Sequence, residues 1–100
     1  MRLVQVRPSS SSTKKLMAIF DAGGKTKTVH FGARGYGDFI NYFAHNPQLA
    51  RRKRSQYIAR HSVTEPWRDP TAPGTLARYI LWEKPTLEQA VRAYRRRFRV

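Results

Sequence analysis

Between Leu16 and Phe31, two runs of alternating apolar side chains flank a pair of adjacent glycines, and this pattern restricts the possible folds more than any other stretch. In "KKLMAIFDAGGKTKTVHFGARG", Leu16, Ala18 and Phe20 fall on one face of an extended segment, with Met17 and Ile19 on the other. Side chains alternate across a strand, so the pattern is that of a half-buried strand. "DAGGK" supplies the turn, because glycine takes positive φ without a Cβ clash. "TKTVHFG" returns with Val29 and Phe31 on one face. The pattern predicts a β-hairpin with strands over 15–21 and 26–32. A lone two-stranded hairpin is marginal in water, so the rest of the chain must cover one side.

The cover reads as helical. Asp38 is placed to cap a short helix through Phe39, Ile40, Tyr42 and Phe43. "HNP" at 45–47 ends it, and Asn46 as N-cap with Pro47 as first helical residue starts the next. On that second helix Leu49, Lys53, Tyr57 and His61 form a narrow stripe, with Ala50 and Ile58 beside it. "TEPWRDPTAPG" at 64–74 is proline-rich and reads as an ordered loop with Trp67 against the core. "GTLARYILWEK" is apolar nearly all round at Leu76, Ala77, Tyr79, Ile80, Leu81 and Trp82, the signature of a buried central helix. "TLEQ" at 86–89 is a capping box in which the Thr86 hydroxyl accepts from the Gln89 amide and the Gln89 side chain reaches back. Leu87, Val91, Tyr94 and Phe98 follow as one helical stripe. Residues 1–7 fit a short edge strand or a frayed tail, and the serines at 9–12 a flexible polar linker. The expected fold is α+β, a hairpin followed by three to four helices, with residues 1–13 as strand or tail plus linker and 14–100 as a single basic domain.

Charge narrows the function. Twenty Lys or Arg stand against six Asp or Glu, a formal net charge of +14. Fourteen of the twenty are Arg, which favours fork-like recognition of phosphate or carboxylate over bare solubility. A surface made only to dissolve would mix both signs. So large a charge also opposes folding through self-repulsion, which a polyanionic partner would relieve. The chain has no cysteine, which excludes disulfide stapling and the Cys-rich zinc modules. It has no apolar run near the roughly 20 residues of a membrane helix, and its first residues are too interrupted for a secretory signal.

"VHFGARGYGDF", then "QYIARH", then W-x-D-P at 67–70, then "LARYILWEKPTLEQAVRAYRRRF" run in an order that resembles an uncharacterised family of small basic proteins encoded by giant viruses and other large DNA viruses of eukaryotes. The "ILW-x-KPTL" core, Ile80 to Leu87, and the basic helix ending in "RRF" carry most of the likeness. "INYFAHNPQLAR" departs from it by being longer and more apolar, and "PTAPGTL" by an extra proline. The resemblance implies a viral origin, with a place in the nucleus or viral factory of an infected cell or in the virion. It implies no activity.

The residues point to binding rather than catalysis. None of the six acids forms a close pair of the kind that two-metal or glycosidase chemistry uses. His30, His45 and His61 lack metal-ligand spacing, and Asp69 before Pro70 reads as a turn acid. "GGKT" at 23–26 echoes a phosphate loop, but in a hairpin turn it reads as a glycine turn with an exposed lysine. No enzyme, metal or cofactor is expected. The candidate nucleic-acid contacts are Arg51, Arg52, Lys53, Arg54 and Arg60 on one helix and Arg92, Arg95, Arg96 and Arg99 on the last. Lys25 and Lys27 join them at the hairpin tip, with Lys14 and Lys15 at its start. If the two helices pack side by side on the hairpin, these groups merge into one field that grips phosphates, DNA in preference to RNA. No Asn/Gln/Arg set at recognition-helix spacing is evident, so backbone rather than base readout is expected. Tyr36, Tyr42 and Trp67 are able to stack on bases, although packing is the commoner fate of such residues. "RRKR" at 51–54 also fits a nuclear-import signal. The alternative is a minor capsid or core protein whose arginines pair with acidic virion proteins. "FINYF" at 39–43 is available as a dimer surface if nothing covers it.

Overall fold

The computed structural model describes every residue from Met1 to Val100. Three antiparallel strands, β1 (Arg2–Pro8), β2 (Lys14–Ala22) and β3 (Lys25–Ala33), form one sheet in the order β1-β2-β3. Helices α1 (Phe39–His45), α2 (Pro47–His61), α3 (Pro73–Leu76) and α4 (Leu87–Phe98) follow, and α3 runs directly into a π-helical turn, Ala77–Leu81. The fold is α+β, as the pattern predicts.

The hairpin β2–β3 forms with Leu16 opposite Phe31 and Ala18 opposite Val29, so the apolar faces of both strands coincide. Each strand is slightly longer than its apolar run, because Gly23 and Gly24 alone make the turn. Both have positive φ, 61° and 85°, as a two-residue primed turn requires. The Asp21 carboxylate accepts from the Gly24 amide at 3.2 Å and closes the turn.

The N-terminal segment is a strand from Arg2 onward rather than a tail, and it shares in the core: Leu3 lies opposite Phe20 and is only 1% exposed. The register shifts between Leu3 and Gln5, which leaves Val4 without a partner on β2. The serine run is a correction. It is the connection between β1 and β2, and it is bonded in place rather than a flexible linker. Ser9 is buried, its hydroxyl meets His30 Nδ1 at 2.7 Å, and it accepts from the Ser11 amide at 2.9 Å. Arg34 reaches from beyond β3 to the Ser9 and Ser11 carbonyls, at 3.3 Å each.

The sheet face that carries Leu3, Ala18, Phe20, Val29 and Phe31 meets Phe39, Ala50, Leu76, Ile80, Leu81, Trp82 and Tyr94 in one core. β3 and the π-turn approach so closely at Gly32 that a Cβ there would lie 2.6 Å from the Leu81 side chain. "GTLARYILWEK" is buried as expected, but only its first turn is α-helical, and the widened π-turn aims Ile80, Leu81 and Trp82 together into the core. Phe39 is buried and Phe43 packs against the core, so "FINYF" already has its cover.

The local signals at helix ends hold. Asp38 accepts from the Asn41 amide at 2.9 Å, Asn46 from Leu49 at 3.1 Å and Thr86 from Gln89 at 3.2 Å. The capping box is half made, since the Gln89 side chain gives no return bond to the Thr86 amide. Trp67 packs against the core with φ +52°, a left-handed conformation that bulky residues seldom adopt. Its indole donates to Glu65 at 2.9 Å, and the Arg78 guanidinium lies 5.5 Å from its ring centre. Asp69 is a turn acid, as expected: it accepts from the Thr71 amide and hydroxyl at 2.9 Å each, and these bonds hold its carboxyl below the usual range.

Candidate nucleic-acid interface

The two basic helices do not pack side by side. α2 packs on α1, and α4 packs on the π-turn. This corrects the expectation of one merged field built on the hairpin. What joins the two helices is Glu83. Its backbone carbonyl accepts from Arg54 of α2 at 3.0 Å. Its carboxylate accepts from Arg78 of the π-turn at 3.0 Å and from Arg97 of α4 at 3.4 Å. Three guanidinium groups therefore converge on one residue, whose single carboxylate offsets only part of their charge.

The arginines of α2 divide by direction. Ala50 and Tyr57 point to the core. Arg54 flanks them on one side, 4.4 Å over the Phe39 ring and bonded to Glu83. Lys53 flanks them on the other, 5.8 Å over the Tyr42 ring. Arg51, Arg52 and Arg60 are exposed, and none bonds to any other part of the chain through its guanidinium. Neither α1 nor α2 contains an acid. Gln48, Arg52 and Ser55 share an exposed line at helical spacing, but the Ser55 hydroxyl donates to the Arg51 carbonyl at 3.1 Å. One amide and one guanidinium remain, short of an extended set for base edges.

The arginines of α4 are more committed to the fold. Arg95 donates to the Leu3 and Val4 carbonyls of β1 at 3.2 Å and 3.0 Å. Arg92 pairs with Glu88 one turn earlier at 3.0 Å, an exposed pair worth little. Arg97, absent from the sequence-derived candidates, lies 4.1 Å over Tyr79 as well as beside Glu83. Arg96 and Arg99 are exposed and free, and Arg99 takes the left-handed conformation that ends the helix. At the hairpin tip Lys25 is exposed, whereas Lys27 reaches Thr71 at 3.2 Å.

A cleft of about 560 Å³ opens beside α2. Lys53, Gln56 and Arg60, three and four residues apart along one edge of the helix, line it from α2, Lys14 lines it from β2 and Tyr36 from the loop after β3. Its aromatic lining includes Tyr42, Tyr57 and Trp82. Tyr57 and Trp82 stack at 4.6 Å with planes 12° apart, and His61 stacks on Tyr57 at 4.3 Å. Burial, then the nearby Glu65 charge, pushes the Tyr57 phenol up to about 12, so it is neutral under ordinary conditions. Its hydroxyl makes no hydrogen bond within the chain. Gln56 escaped the sequence reading; its spacing from Lys53 and Arg60 is the signal that placed it on their edge.

A family model described as a family of unknown function, DUF5754, matches residues 4–61. The chain belongs to DUF5754. The matched span of the DUF5754 fold runs through all three strands, α1 and α2, and so takes in Tyr36, Lys53, Gln56 and Arg60 of the cleft. The Ile80–Leu87 segment, on which the viral resemblance leans most, lies outside it. No curated protein and no solved structure matches the chain.

Proposed function

We propose that this protein is a non-catalytic nucleic-acid-binding protein that grips the phosphate backbone largely without regard to sequence. The observation that carries the reading is on α2: Arg51, Arg52 and Arg60 stand in solvent, unpartnered, on a helix with no carboxylate. None of the chain's acids forms an ion pair with them. Each of the six is engaged by other groups: Asp21 by Gly24, Asp38 by Lys15, Glu65 by Trp67, Asp69 by Thr71, Glu83 by Arg78 and Arg97, and Glu88 by Arg92. Asp21, Asp38 and Asp69 are held in turns or a helix cap, and Glu83 and Glu88 in arginine pairs, which supports binding over catalysis. Arg96, Arg99 and Lys25 extend the contact beyond α2.

DNA of a large eukaryotic virus is the polyanion we propose, met in the nucleus or viral factory or inside the virion. The family resemblance in the sequence supports that setting. No helix of the chain is long and apolar enough to cross a membrane.

Filter binding of labelled duplex and single-stranded DNA across a salt series tests the reading. About six phosphate contacts give a slope of log K against log salt near −5 on duplex DNA. Absence of binding at low salt, together with a salt-resistant complex with an acidic capsid protein, overturns it in favour of arginine–carboxylate pairing in a minor capsid or core protein.

A further inference from the structure

We propose that the cleft between the Lys53–Arg60 edge of α2 and Tyr36 receives one unpaired nucleotide of a single strand, its base against tyrosine and its phosphate against lysine and arginine. This rests on the nucleic-acid reading above and adds a ligand class to it.

The volume is right for a ligand of nucleotide size, since small-molecule sites run from roughly 300 to 1,000 Å³. The charge is right as well. Lys14 and Arg60 have no partner within the chain, and Lys53 touches only the face of Tyr42. Of the two carboxylates on the wall, Asp38 is offset by a lysine, while Glu65 keeps its charge and is held by neutral donors. Asp38 holds Lys15 at 2.7 Å and caps α1, and Glu65 accepts the Trp67 indole at 2.9 Å with His61 at 3.6 Å. Lys14, Lys53 and Arg60 therefore outnumber the one remaining carboxylate, Glu65, and leave an excess of positive charge for a phosphate to meet.

Tyr36 supplies the stacking surface. It is 75% exposed, an unusual position for a large aromatic ring, and every other aromatic ring of the cleft is at least half-buried. It sits between Gly35 and Gly37, and each glycine has a reason. Gly35 has φ +89°, and a Cβ on Gly37 would lie 2.6 Å from the Tyr42 ring. The backbone is thus drawn against Tyr42 while Tyr36 is left in solvent. An aromatic face and a positive rim are the two parts of a single-strand site. Gln56 offers an amide on the same wall and Tyr57 an unpaired, neutral hydroxyl, groups that suit the exposed edge of a base. A base within a duplex has neither its face nor its pairing edge free for such a site.

The test is titration of the full chain with a short single-stranded oligonucleotide, with the duplex of the same sequence, and with adenosine monophosphate. Wild type is compared with Tyr36→Ala, Gln56→Ala and the Arg51→Ala/Arg52→Ala pair. The expected result is that Tyr36→Ala, at an exposed position that leaves the melt unchanged, weakens single-strand binding about tenfold and leaves duplex binding alone. Gln56→Ala acts in the same direction, and the arginine pair weakens both forms alike. If wild type binds both forms and Tyr36→Ala changes neither, or lowers both equally, the cleft proposal fails and the phosphate-grip reading stands. If wild type binds neither, both fail. Tight binding of adenosine monophosphate without strand binding overturns the strand as the source and makes the ligand a free nucleotide.

Discussion

Arg95 of α4 donates from Nη2 to the carbonyl of Val4 at 3.0 Å, across 91 positions of the chain. Val4 is the residue left unpaired by the register shift in β1, and the same guanidinium takes the Leu3 carbonyl at 3.2 Å. A bulge on an edge strand frees backbone acceptors, and a planar fork satisfies two of them at once. Arg95→Ala is therefore expected to lower stability by about 1–3 kcal/mol. Arg95→Lys keeps the charge but loses the fork, so it lowers the melt while leaving the salt slope of DNA binding intact. Chemical denaturation and filter binding check the two halves, and an unchanged melt for both variants contradicts the clamp.

Arg51 and Arg52 play no such part in the fold. Arg51→Ala with Arg52→Ala is expected to leave the thermal melt within experimental scatter. On duplex DNA the slope of log K against log salt becomes shallower by about two, one for each lost phosphate contact. A large fall in melting temperature would mean that these side chains support the fold.

Glu83 is expected to behave in the opposite way. Arg78 is only 13% exposed at its side chain, and Glu83 is its one carboxylate partner. Glu83→Gln leaves that guanidinium facing a neutral amide and is expected to reduce stability by about 2–4 kcal/mol, most of it from Arg78. The more exposed Arg97 contact contributes little. Urea denaturation of Glu83→Gln beside Arg97→Ala separates the two, and equal losses would refute this division.

Alkaline pH tests the aromatic cluster. Burial raises the Tyr57 phenol from 10.0 to about 12 and raises Tyr94 as well. Between those values the folded chain keeps protons that the unfolded chain has released. Stability is therefore full below pH 10 and falls as pH rises through 10 to 12. Ultraviolet phenolate absorbance should show fewer ionised tyrosines in the native than in the denatured protein in that window, and Tyr57→Phe should flatten part of the loss. Native and denatured curves that superimpose would show that Tyr57 is open to solvent.

Much of the fold was legible because its signals are local. Alternation and a glycine pair specify the hairpin, and Asp38, Asn46 and Thr86 mark helix starts through bonds that span three residues. The site was less legible. The chain lists Arg54, Arg95 and Arg97 among equals of Arg51 and Arg52, yet the first three are spent on Glu83, Val4 and Tyr79. α2 is only weakly amphipathic, so its sequence does not say which of its cations face inward.

The sequence by itself determined the fold class, the places where helices begin, and an excess of positive charge too large for the chain's own acids to neutralise. Tertiary structure alone decided which cations are free. That depends on which carbonyl, carboxylate or ring lies within about 3–4 Å of each guanidinium, and the partners of Arg54 and Arg95 lie 29 and 92 or 91 positions away. Tertiary structure also made the serine run an ordered connection and brought Tyr36, Lys53 and Arg60 to the lining of one cleft. Contacts at such separations are fixed by how the sheet and helices share one core, which no local pattern records.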